Sequence, residues 1–405
     1  MPSEKRSWGA RLVYLFVNRL LLNANTRMLY AFVPVFVVGM ALTEGQYFNA
    51  LAIAGIFALI TPAIIPLAET KGRRFAMGVA TIMFAIGNFI VVLFHGFWII
   101  ALGLGVSTLG LAIFQSTCQA YVGDETPFAK RGRYVAVLEL AWSASYFIMM
   151  PILSVVMSSA AADNALWKAP FLILGVLSLA SFLLLKVMIP YTPPPKSVQE
   201  SGDKGLKLIL STLKSPHVFV ALCYGFFIQA GAEYMNLTYA SWLDSAWGVQ
   251  IATLGIVAAI FGAAEFFGEF SVVSVSDRVG KKNMCGIGNC ISAVAGILAP
   301  FIVGVNSWAA IIVLAVFYIG FEISIASGFS VMTQVVPALR ASFMGIFAAV
   351  LQLGRIVADF TCNGILGADG RFQMVAWIAA ICFVLAFVFL RFVKVQPEEN
   401  DEAVA

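Results

Sequence analysis

The chain has 405 residues, 61% of them hydrophobic and 11% charged, with a formal net charge of +4. A soluble domain carries roughly a quarter charged residues, so this composition excludes a water-soluble globular protein. No basic block with interleaved aromatics occurs, which excludes a nucleic-acid partner.

The apolar runs are continuous rather than alternating, the pattern of helices and not of barrel strands. Each reaches the roughly 20 residues that cross about 30 Å of hydrocarbon. The first half predicts spans at 12–38, 46–68, 75–94, 97–121, 133–158 and 168–190. The second half predicts 217–243, 250–274, 284–305, 308–333, 342–366 and 372–394. The fold class is therefore an all-α membrane protein with twelve transmembrane helices. Residues 1–190 and 216–394 form two six-helix bundles, 191–215 a linker containing Pro193-Pro194-Pro195, and 395–405 an acidic tail. Arg19 and Arg27 interrupt the first run and no small-residue cleavage site follows, so it reads as a retained helix and not a signal peptide. On this count twenty Lys and Arg residues fall on the side of the termini and only Lys168 and Arg371 on the other. The positive-inside rule then puts both termini in the cytoplasm.

Ionisable residues inside a span cost roughly 2.5–3.5 kcal/mol each and mark partners or wet cavities. The first span carries Arg19, Asn23 and Arg27 at intervals of four, with Tyr30 three further on, which places them on one helical face. Span four offers Gln115 and Gln119, and span five Glu139 and Tyr146. Span seven carries Glu233 and Asn236, span eight Glu265, and span ten Tyr318 and Glu322. Span eleven carries the stripe Gln352, Arg355 and Asp359. Depths from a rise of about 1.5 Å per residue put Arg19 level with Glu139 and Arg27 level with Glu233, the pairs expected where those helices face one another; Arg355 can reach Glu265 or Asp359. Arginine's planar fork suits carboxylate and phosphate, so Asn23, Arg27, Tyr30, Gln115, Gln119, Tyr146, Glu233, Asn236, Tyr318, Gln352 and Arg355 are the substrate-binding candidates. Glu265, Glu322 and Asp359 are the proton-coupling candidates. The six cysteines are scattered without a CxxC pair, and neither His95 nor His217 has ligand company. No GxxxxGK[ST] sequence and no nucleophile–base pair occur. The expectation is no metal, no cofactor and no enzyme activity.

The halves repeat. Glu69-Thr70-Lys71-Gly72-Arg73-Arg74 follows span two, and Asp277-Arg278-Val279-Gly280-Lys281-Lys282 follows span eight, the acids 208 positions apart. Arg131 and Arg340, after spans four and ten, lie 209 apart. Parallel repeats of this kind are a transporter architecture. The segment Leu67-Ala68-Glu69 through Gly72-Arg73-Arg74 resembles the loop signature of the major facilitator superfamily, with Glu69 for its Asp, Thr70 for its first Arg and Ile65 for its leading Gly. Asp277 to Lys282 is closer to the pattern, and Asp124-Glu125-Thr126-Pro127 through Arg133 is similar to the family's loop between spans four and five. The resemblance implies pseudo-symmetric bundles around a central cavity, with spans one, four, seven and ten lining it. It implies a cytoplasmic gate of Glu69, Arg73, Asp124, Asp277 and Arg278, with Glu69 near Ala341–Gly345 and Arg73 facing Asp124. The glycine-rich signature of many proton-driven drug exporters is absent from 141–151, although Pro151 is present.

The function expected is secondary active transport of a small organic solute, anionic or zwitterionic, by alternating access with H+ as coupling ion. The expected partners are a small-molecule substrate and the lipid bilayer, the state a monomer, and the location a bacterial inner membrane. The rival is a proton-driven efflux pump for drugs or amphiphiles. A remote third is a receptor or enzyme on the same scaffold without transport.

Overall fold

The computed structural model describes residues 7–61, 64, 71–126, 134–135, 137–158, 164–191, 215–302, 305–336, 340–366 and 372–394. Among the described residues, thirteen α-helices, counting 137–158 as one, form the framework. They are α1 (Trp8–Ala31), α2 (Val33–Gly39), α3 (Glu44–Leu59), α4 (Arg73–Leu93) and α5 (Phe97–Glu125), then α6 (Val137–Ser158) and α7 (Ala169–Met188). The second half has α8 (Pro216–Trp247), α9 (Ile251–Val279), α10 (Lys281–Leu298), α11 (Ser307–Met332), α12 (Arg340–Leu366) and α13 (Phe372–Phe392). Among the described residues, 10 helices are long and apolar enough to cross a membrane, or 11 with α1 and α2 taken as one bent span. With α3, they correspond one to one with the twelve spans read from the sequence. Side chains such as Leu183 and Val273, 73% and 77% exposed, are ones that only lipid covers comfortably.

Two spans are interrupted along their length, and each has a proline to account for it. The first bends by 83° between α1 and α2. Pro34 cannot donate to the Tyr30 carbonyl and its ring crowds that oxygen, so the helix stops at Phe32 and restarts. In α6, Pro151 stands in the same relation to Phe147, and the backbone widens into a π-helical turn over Ser145–Met149. Helix ends follow ordinary capping. Thr43 and Gln46 exchange side-chain bonds with each other's backbone at the start of α3, 3.0 and 3.2 Å, and Gly248 in the left-handed region closes α8.

The chain divides into two compact units, Met1–Glu200 with Val249–Gly262, and Ser201–Gly248 with Ala263–Ala405. In the first, α1 packs on α5, α6 and α7, and α4 on α5 and α7. In the second, α8 packs on α11, α12 and α13, and α10 on α11 and α13. These are the same pairings six spans apart. The close approaches repeat as well: a Cβ on Gly103 would sit 2.9 Å from the Gly87 carbonyl oxygen, and one on Gly320 would sit 2.8 Å from the Gly288 carbonyl oxygen. Small residues let membrane helices meet this closely. The loop repeat shares a conformation. Gly72 and Gly280, 208 positions apart, have φ of 92° and 88° and precede α4 and α10. Residues with a Cβ pay for that region of φ, so the glycine of the repeated motif is a backbone requirement.

Candidate functional site

The face of α1 predicted from its spacing of four is a ladder of polar contacts inside the first unit. At one end Arg11 Nη1 donates to Tyr121 Oη at 3.2 Å and lies 3.3 Å from Glu125 Oε2. Two turns on, Arg19, 3% exposed, grips Glu139 with both terminal nitrogens at 2.8 and 2.9 Å. Gln119 Nε2 donates to the same carboxylate at 2.8 Å. The fork-to-fork geometry is the strongest form of this pair. Asn23 Oδ1 then accepts from Gln115 Nε2 at 2.7 Å. Arg27, 2% exposed, is stacked on aromatic faces, with its guanidinium carbon 3.8 Å from the Trp142 ring centre and 4.0 Å from that of Tyr146. Desolvated cation–π contacts of this kind stabilise by about 2 kcal/mol. Tyr146 sits in the π turn made by Pro151, and Tyr30, 7% exposed, lies just before the break in span one.

The second unit gathers a different set. Glu233 on α8 is fully buried, and Arg355 Nε on α12 approaches its Oε2 at 3.8 Å, beyond hydrogen-bond range. Asp359, one turn beyond Arg355 and 3% exposed, interacts with both groups. Neither Glu233 oxygen, nor Oδ1 of Asp359, accepts a hydrogen bond from a protein N–H or O–H. Two carboxyl groups thus share one guanidinium. Three residues along α8, Asn236 Oδ1 accepts from Tyr318 Oη of α11 at 2.8 Å. Tyr234 Oη and Thr361 Oγ1 lie 2.6 Å apart.

Of the other candidates, Glu265 is fully buried and Glu322 is 8% exposed, on α9 and α11, where a Cβ on Gly268 would sit 2.9 Å from the Glu322 Cβ. Gln352 is half-buried. In the loop ends, Arg73 Nε lies 2.9 Å from Asp124 Oδ2, and that carboxylate is 48% exposed. Arg278 is exposed at the end of α9. Glu69 lies outside the described residues, as do the side chains of Asp277 and Arg340. The sequence reading paired Glu233 with Arg27 of the other unit; within its own unit Glu233 has Arg355 as a neighbour. Thr361 completes the second cluster without having been named as a site residue; Trp142 lies four residues before Tyr146, which puts both rings on one helical face.

A bundle of membrane-crossing helices that buries ion pairs and amide contacts is the architecture of a solute transporter rather than of a structural anchor. The family model described as Major Facilitator Superfamily matches residues 15–243 and 222–405. The chain belongs to the Major Facilitator Superfamily. It is 25% identical over 216 residues to the "Uncharacterized MFS-type transporter YbcL" of Bacillus subtilis (strain 168), covering 53% of this chain and 52% of the relative. The match thus spans about half the length of that relative. It is 21% identical to the "Transcription regulatory protein OpdE" of Pseudomonas aeruginosa (strain PAO1), over 95% of this chain and 93% of the relative. Among solved structures it resembles a D-xylose-proton symporter with a TM-score of 0.77 at 16% identity, over 97% of this chain and 98% of that one. At that identity the likeness concerns the fold.

Proposed function

We propose that this protein is a proton-coupled secondary transporter of a small polar organic solute, anionic or zwitterionic, acting by alternating access in a bacterial plasma membrane with both termini cytoplasmic. The observation that supports coupling most is the Glu233–Arg355–Asp359 cluster. With both carboxyls ionised it has two negative charges against one positive charge in a buried setting, and no donor reaches Glu233. One proton on either carboxyl supplies that donor and neutralises the cluster. Loading and unloading that proton changes the charge that a solute meets beside Arg355, which links solute affinity to the proton gradient. In this reading Arg355 is both the counter-ion of Glu233 and the group that a solute carboxylate competes for. Asn236, three residues along α8 from Glu233, and its partner Tyr318 offer further directional hydrogen bonds in this unit.

The first unit supports the rival reading on one point. Both aromatic faces against Arg27 also suit an amphipathic cation or a flat apolar solute, which is what an efflux pump takes. The two readings separate in proteoliposomes. Uptake of organic anions and zwitterions driven by an imposed pH gradient, with accumulation collapsed by a protonophore, supports the metabolite transporter. Gradient-driven extrusion of lipophilic cations with no anion flux replaces it with the efflux pump. No flux in either direction for any solute class contradicts both.

A further inference from the structure

Away from the polar clusters, the second unit carries a groove of about 660 Å³ between α10 and α13. Its mouth is lined by Lys282, Asn283 and Arg391, and its wall by Ile287, Leu390 and Phe387. Among the described residues, no acidic side chain lines it. Lys282 Nζ donates to the carbonyl oxygens of Arg391 at 3.2 Å and Val393 at 2.8 Å, which fixes the ammonium at the C-terminal end of α13 and leaves it one further N–H. That cap accounts for Lys282. It does not account for Arg391, whose guanidinium is held 4.8 Å over the Phe387 ring at the same mouth, or for the open space between the two helices. Lys281 at the start of α10 and Lys394 just past α13 are exposed beside it. From Lys282 to Ile291 the groove wall descends about 13 Å at the helical rise, roughly half the thickness of the hydrocarbon.

We propose that this groove binds one anionic glycerophospholipid from the adjacent leaflet, with its phosphodiester on Lys282 and Arg391 and an acyl chain against Ile287 and Phe387. The occupant follows from the shape of the chemistry. Two cations at the polar boundary recognise a phosphate, and the apolar wall below them suits a chain that a free phosphate lacks. Basic pockets between helices at the membrane surface recognise headgroups in this way. The site is separate from the transport clusters and does not depend on how they are read.

Native mass spectrometry of the full-length protein in detergent tests it, with phosphatidylglycerol and phosphatidylcholine titrated in turn. Wild type is expected to retain phosphatidylglycerol over phosphatidylcholine, by about fivefold for each cation engaged. Arg391→Ala leaves the carbonyl contacts of Lys282 in place and should lose about fivefold of that preference. Gly286→Leu keeps both cations but fills the floor, where even a Cβ comes to 3.3 Å from the Phe387 ring; it should lose the bound lipid altogether. If Gly286→Leu does not fold, Arg391→Ala decides alone. Equal retention of the two lipids, an unchanged Arg391→Ala, or displacement of the lipid by millimolar inorganic phosphate overturns the proposal.

Discussion

The two units share a pattern of helix pairings, yet they treat their buried charges in opposite ways. In the first, the arginines on α1 are provided for: Arg19 by both oxygens of Glu139, Arg27 by two aromatic faces. In the second, Arg355 interacts with two carboxyls, and its Nε lies 3.8 Å from Glu233 Oε2. A saturated pair resists change, because losing either partner strands the other in a poorly solvated place. A cluster short of one positive charge invites a proton. On the proposed function, the same duplicated scaffold holds a fixed polar ladder in one copy and a titratable cluster in the other.

The comparison breaks first at the carboxyls. Asp359→Asn and Glu233→Gln should each reduce pH-gradient-driven accumulation by about 100-fold, the scale of about 2.7 kcal/mol of lost coupling. Solute counterflow without a gradient should survive in Asp359→Asn. If accumulation stays within twofold of wild type in both variants, the cluster has no part in coupling. Next, Glu139→Ala should destabilise the first unit by about 1–3 kcal/mol by leaving buried Arg19 without its carboxylate, less than for a fully buried pair because Glu139 is 38% exposed. The double variant Arg19→Met, Glu139→Leu should recover most of that, read as melting temperature in detergent. A single variant as stable as wild type would show that the pair is not the fixed element described. Smaller still, Arg27→Lys should cost about 1–2 kcal/mol by exchanging a flat guanidinium for a point charge between Trp142 and Tyr146. A stability unchanged by Arg27→Lys would mean that the stacking carries no weight. Gly280→Ala and Gly72→Ala should cost about 1–2 kcal/mol each and by similar amounts, because both stand at positive φ; a loss in one copy alone would deny the repeat its shared backbone. The Arg73–Asp124 contact is the least consequential for stability. With its carboxylate half exposed, Arg73→Ala should change stability by less than about 1 kcal/mol.

Much of this was legible in the residues, and what was not has identifiable causes. Helix period placed Arg19, Asn23 and Arg27 on one face of α1, and rise per residue put Arg19 level with Glu139, the residue it grips. Depth works when the two helices are known to be neighbours. It says nothing about which of several helices a side chain turns toward, which is why the Arg355 neighbour of Glu233 was not named from depth. Nor does the repeat of the loop motif reveal that the charges of the two halves are balanced differently, because that depends on contacts across three helices. The break at Phe32 and the π turn at Ser145–Met149 both had visible prolines, Pro34 and Pro151. Apolar periodicity runs straight through such residues, and only the backbone shows whether a membrane proline bends, widens or is absorbed.

The claim that the second unit holds a shareable proton can be measured without knowing the solute. Infrared difference spectroscopy of the purified protein across a pH titration should show one protonated-carboxyl C=O band that titrates in wild type. That band should be lost or displaced in both Asp359→Asn and Glu233→Gln, and unaltered in Glu139→Gln. The same band persisting through both second-unit variants, or responding to Glu139→Gln instead, would contradict the account.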